Sequence, residues 1–155
     1  MIDEGDPAAS ALFLSLFNSV PYDYLLRQKF YGANFTKSML LQTFVIGRSE
    51  LKKLTDRLLD AVAALTNTSD SVASFIKAID REHLSATDSR KRLELRAWID
   101  AVYFMKFGFS HDEVDYVFET FPIWKDKSTE TWGQFLEKEL TIGFLDEAEQ
   151  AVRSS

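Results

Sequence analysis

The stretch from Asp88 to Phe107 constrains the fold most, because it contains neither glycine nor proline. Its apolar side chains recur at helical spacing. One stripe holds Leu95, Trp98, Ile99, Val102 and Met105, and it is widened by Ala97, Ala101 and Phe104. An apolar face this wide is typical of a helix that is buried on more than one side. We therefore expect this helix to pack against several neighbours.

Helix breakers are few in the rest of the chain, which has six glycines and three prolines. Hydrophobic residues make up 46% of the chain and include 13 phenylalanines, a composition that favours a packed core over disorder. We predict a mainly α fold, a helical bundle with room for one or two short strands near residues 35–47. Residues 1–10 are expected to form a flexible lead-in, and residues 48–155 a C-terminal helical domain.

Local signals give the approximate helix positions. Pro21 is expected to kink or divide the first helical pattern. Ser110 and Glu113 have the spacing of a capping box, which predicts a helix that begins there and stops before Pro122. Apolar periodicity predicts the other helices over residues 8–30, 49–66, 70–82, 88–107, 129–139 and 144–152.

Charge is distributed unevenly along a chain whose net charge is −6. Residues 20–60 hold seven basic and four acidic side chains, whereas residues 109–155 hold four basic and eleven acidic ones. A phosphate-facing patch is therefore expected in the first third rather than in the tail. The chain has no cysteine, no signal-like N-terminus and no apolar run long enough to span a bilayer, so we expect a cytoplasmic protein with no membrane partner.

Motifs of catalysis are absent from the sequence: there is no glycine-rich phosphate loop, no nucleophile elbow and no HExxH. No catalytic or metal-binding residue is therefore assigned. His111, Asp112, Glu113 and Asp115 resemble a metal cluster on paper, but the capping box and the helix dipole account for these acids. The carboxylates of Glu94, Asp100, Glu137 and Glu139 are interpreted as parts of solvated helix faces.

One polar segment, residues 27–37, surrounds a glycine-bearing turn with side chains that contact phosphates and base edges. The candidate DNA-binding residues are Arg27, Gln28, Lys29, Tyr31, Asn34, Thr36 and Lys37. The alternative interpretation is an ordinary polar loop whose basic side chains are solvated.

Two blocks of the sequence resemble a known family. The first is an NSxxxDYxxRQK run from Asn18 to Lys29, followed by Gly32, Asn34 and Leu40-Leu41-Gln42. The second comprises Arg92, Glu94, Leu95, Ala97, Asp100, Ala101, Gly108, Asp112-Glu113, Tyr116-Val117-Phe118 and Thr120-Phe121-Pro122. Together they resemble the C-terminal region of large N6-adenine DNA methyltransferases, the fused Eco57I-type (type IIG-like) restriction–modification enzymes and the related phage-exclusion (BREX-type) methylases.

The resemblance implies that residues 11–47 end a target-recognition segment. It also implies double-stranded DNA and a methyltransferase catalytic domain or subunit as partners. The family's N-P-P-Y motif and its glycine-rich S-adenosylmethionine loop are missing, so no cofactor is expected in this chain and S-adenosylmethionine would belong to the parent enzyme. The chain is then expected to be a fragment, a separate subunit or a gene remnant. Two alternatives remain, a protein–protein interaction module without nucleic-acid contact and, less favoured, a small independent enzyme.

Overall fold

The computed structural model describes residues 5–30, 43 and 45–155, and these residues confirm the predicted mainly α fold. They form nine α-helices: α1 Pro7–Phe17, α2 Val20–Lys29, α3 Arg48–Leu51, α4 Thr55–Thr66, α5 Ala73–Ala78, α6 Ser89–Lys106, α7 His111–Glu119, α8 Pro122–Trp132 and α9 Leu136–Arg153. Short 3-10 segments, Lys52–Leu54 and Asp70–Val72, lead into α4 and α5. No strand occurs in the described part of 35–47; residues 35–42 and 44 lie outside it.

Helix α6 is the hub of the bundle. Every residue from 97 to 104 is buried, as expected for a helix with neighbours on several sides. Helix α9 packs along α6 more extensively than any other element, and α4 and α2 pack against other faces of α6. The wide apolar stripe of the sequence therefore corresponds to a helix shared by both halves of the chain.

The interruption predicted near Pro21 is present, because the first helical segment consists of two separate helices, α1 and α2. Helix α1 begins at Pro7, inside the predicted lead-in of residues 1–10, because Asp6 caps it by accepting hydrogen bonds from the Ala8 and Ala9 amides at 2.9 and 3.2 Å. A buried hydrogen bond of 2.7 Å between the Ser15 and Tyr103 hydroxyls attaches α1 to α6.

The last three helices surround a cluster of aromatic rings from Phe118, Phe121, Trp124 and Phe135, with ring centroids 5.4–6.0 Å apart. The Ser110–Glu113 capping box at the start of α7 is confirmed. The prediction of a helix over residues 129–139 is wrong. Gly133, at φ 77°, ends α8 there, and α9 then runs through the segment predicted as a separate helix over 144–152.

Candidate nucleic-acid interface

Helix α2 runs from a buried beginning to an exposed end. Ser19, Val20 and Pro21 are buried, whereas Arg27, Gln28 and Lys29 are exposed. Asp23 in the first turn and the basic residues in the last turn both complement the helix dipole. The C-terminal end of α2 therefore presents three of the candidate DNA-binding residues to solvent.

The beginning of α2 is capped from another helix. The Ser19 hydroxyl donates to the Leu16 carbonyl at 2.7 Å and so does not cap α2, whose first amide, Val20 N–H, instead donates to Asp100 Oδ1 of α6 at 2.8 Å. These residues lie 80 positions apart in the chain. The contact joins the two sequence blocks that carry the family resemblance, and it fixes the direction in which α2 projects.

Asp100 was interpreted from the sequence as part of a solvated face, and that interpretation is wrong, because Asp100 is only 7% exposed. Burial raises the pKa of Asp100 to about 7, while the Val20 hydrogen bond and the charge of Arg96 act in the opposite direction. Its position between Ile99 and Ala101 inside the apolar stripe was the available signal in the sequence. Asp100 is therefore a positioning residue for α2.

Arg27 is held in a defined orientation at the surface. Its Nε and Nη2 atoms donate to Asp23 Oδ2 at 2.9 and 2.8 Å, and its guanidinium lies 4.9 Å from the centroid of the Phe121 ring. An exposed ion pair of this kind contributes only about 0–1 kcal/mol, so an incoming phosphate can compete with Asp23 for the guanidinium.

Gln28 and Lys29 lie on another side of α2. Successive helical residues are about 100° apart, so Arg27 and Lys29 point to nearly opposite sides of the helix, about 160° apart around its axis. Gln28 and Lys29 line a pocket of about 270 Å³, where Tyr22 and Phe107 are among the other lining residues. The Lys29 ammonium also lies 5.5 Å from the centroid of the Phe30 ring. The structure thus brings Gln28 and Lys29 together but does not place Arg27 beside them.

The other candidate residues, Tyr31, Asn34, Thr36 and Lys37, lie outside the described residues. Of the candidate DNA-binding residues, the structure describes Arg27, Gln28 and Lys29, which lie at the C-terminal end of α2. We use the name α2 edge for these three residues.

The acidic group around His111 has an ordinary structural explanation. The Glu113 carboxylate accepts hydrogen bonds from the Ser110 amide at 2.8 Å and from its hydroxyl at 2.9 Å, which lowers the pKa of Glu113. Within the described ranges, no three or more His, Asp or Glu side chains are placed to hold a metal ion.

Comparisons with protein-family models, with curated proteins and with solved structures find no match to this chain. In the part of the chain that the structure describes, no helix combines the length and the apolar character needed to cross a bilayer.

Proposed function

We propose that this chain is a non-catalytic DNA-recognition and scaffold module of an adenine-specific DNA methyltransferase that acts in restriction–modification or phage defence. The Asp100–Val20 contact supports the proposal most, because it makes one structural unit of the two blocks that resemble this enzyme family. It fixes α2 so that the α2 edge is solvent-exposed, immediately before the remaining candidate residues in the chain.

In this proposal the module supplies positioning and affinity, while a separate catalytic domain supplies the chemistry. Arg27, Lys29 and Lys37 contact phosphates, and Gln28, Asn34, Thr36 and Tyr31 approach bases or sugars. Most of the affinity then comes from neutralised phosphates and falls with rising salt concentration. S-adenosylmethionine is bound by the catalytic partner and not by this chain.

The first test compares Arg27→Gln with Arg153→Gln in fluorescence-anisotropy titrations against labelled duplex DNA. The two arginines are matched, since each is exposed (64% and 75% of the side chain) and each pairs with an acid four residues earlier in its helix. Loss of one charge-assisted phosphate contact by Arg27→Gln weakens binding about tenfold and lowers the slope of log K against log salt by about 0.9. Arg153→Gln, in the acidic third, leaves both quantities unchanged. Equal effects of the two substitutions would contradict the proposed interface.

A second candidate function is a protein-interaction module without nucleic-acid contact. It is favoured by Tyr116 and Ile123, whose large side chains are 63% and 73% exposed in the acidic third of the chain. Gel shifts with duplex DNA, run with and without an adenine-methylating catalytic subunit, distinguish the two functions. A complex with the subunit that binds DNA no more tightly than the subunit alone supports the interaction module.

A further inference from the structure

A cleft of about 450 Å³ opens between α1, α4 and α6. Val62, Leu65 and Ile99 form apolar walls, and Trp124 of α8 also lines it. Val20, at the positive end of the α2 dipole, faces the same space. The cleft therefore combines an apolar interior with a polar side.

The polar side carries excess positive charge. Among the described lining residues, the charged ones are Arg92, Arg96 and Asp100. Arg92 Nη1 donates to the carbonyls of Leu65 and Ala86, both at 2.9 Å, so hydrogen bonds satisfy it without cancelling its charge.

Arg96 is exposed, and its charge acts on Asp100. No hydrogen bond or salt bridge joins Arg96 to another residue of the described ranges. The neighbouring carboxylate of Glu94 pairs with Arg90 and Lys91 instead. Within the cleft, Asp100 is the one described carboxyl group, and its Oδ1 already accepts the Val20 amide. Two guanidinium groups thus face one carboxyl group, and Arg96 keeps its donors available for an anion.

A chain of contacts connects the cleft with Arg27. Val20, Asp23 and Arg27 recur at helical spacing along one face of α2. Arg27 lies against Phe121, whose ring centroid is 6.0 Å from that of Trp124, and Trp124 lines the cleft. A ligand that occupies the cleft therefore lies next to the surface that holds Arg27.

We propose that this cleft binds a nucleotide phosphate, with Arg96 as the residue that contacts it. The planar fork of a guanidinium matches phosphate oxygens in bidentate geometry, and the apolar walls accommodate the sugar or base that accompanies the phosphate. The phosphate has two possible sources, the backbone of a nucleic acid and a free nucleotide. The nucleic-acid source rests on the proposed function, whereas the free-nucleotide source does not.

The test measures binding of labelled duplex DNA by anisotropy and of AMP by calorimetry. The variants are Arg96→Gln, Leu14→Trp and Arg90→Gln. Leu14→Trp fills the mouth of the cleft without changing its charge, since Leu14 is a partly exposed lining residue. Arg90→Gln is the matched control, because it removes the same charge from the same helix outside the cleft. We expect Arg96→Gln and Leu14→Trp each to weaken the binding of at least one probe about tenfold or more. Arg90→Gln should change the binding of either probe less than twofold.

The outcomes separate this inference from the proposed function. If AMP binding depends on Arg96 and duplex DNA does not bind, the result supports the cleft as a phosphate site and overturns the proposed DNA-recognition function. Duplex binding that depends on Arg27 but is unchanged by both cleft variants supports the DNA module, and it overturns the cleft if AMP binding is also unchanged by those variants or does not occur. The inference is also overturned if neither probe binds the unmodified protein.

Discussion

At Asp100 two opposing effects act on one carboxyl group. Burial disfavours its charged form, whereas the amide of Val20 at the positive end of α2 and the charge of Arg96 favour that form. Burial is the larger effect, so the pKa rises from 3.8 to about 7. Asp100 therefore stabilises the fold most at low pH, where it is protonated in both states, and this contribution is lost as pH rises through about 7.

Asp100→Asn tests this balance, because asparagine keeps an oxygen that accepts the Val20 hydrogen bond but cannot ionise. We subtract the free energy of unfolding of the unmodified protein from that of the variant. This difference should rise between about pH 4 and 7, by at most about 1.4 kcal/mol per pH unit, and should level off above pH 7. Urea unfolding at a series of pH values measures the difference. Exposed Asp126→Asn is the control, and an equal rise in that variant would show that burial is not the cause.

Arg27 and Arg96 are both exposed arginines, but they have different neighbours. Arg27 forms an ion pair with Asp23 and lies over the Phe121 ring. Arg96 lines the cleft and forms no hydrogen bond or salt bridge with another residue of the described ranges. The sequence indicated an accessible Arg27, because this residue belongs to the polar segment 27–37. It gave no sign of the cleft at Arg96, because residues of α1, α4 and α8 complete that cleft.

At the scale of elements, the end of α2 limits the shape of any DNA interface. Arg27 faces Phe121, and Gln28 and Lys29 face the pocket near Phe107. A straight duplex laid on one side of α2 would meet only one of these groups. In the proposed function, the DNA therefore crosses the C-terminal end of α2 and does not lie along one side of the helix.

The boundary between α8 and α9 depends on the left-handed backbone at Gly133. A Cβ at Gly133 or at Gly143 of α9 meets no other atom within 4 Å, so backbone conformation alone decides the effect of alanine. Gly133→Ala, at φ 77°, should lower the free energy of unfolding by about 1–2 kcal/mol. Gly143→Ala, in a helix interior, should raise it by about 0.5–1 kcal/mol. Urea denaturation of both variants gives the two signs, and the same sign for both would contradict this explanation.

At the scale of the whole molecule, α6 makes the bundle one cooperative unit. Helices α2 and α4 pack on some of its faces and α9 on another, so unfolding of either half exposes buried residues of α6. Far-ultraviolet circular dichroism and the fluorescence of Trp98, Trp124 and Trp132 should then follow a single transition in urea.

Leu145→Ala tests this cooperativity. Leu145 of α9 is fully buried, so its truncation should cost about 2–5 kcal/mol and shift both transitions by the same amount. Tyr116→Ala removes a large exposed side chain and should change stability by no more than about 0.5 kcal/mol. A shift seen by fluorescence but not by circular dichroism would show that the acidic third unfolds separately.

The sequence by itself determined the helical class, the broad burial of α6, the capping box of α7 and an interruption of the first helical segment near Pro21, as either a kink or a division. These features depend on side-chain periodicity and on signals within a few residues of each helix end, so they can be read locally. The tertiary structure alone decided that Asp100 caps α2, that Arg27 packs against Phe121, and that Arg92 and Arg96 share a cleft. Each of these depends on contacts between residues far apart in the chain, and no local pattern specifies which helix faces meet.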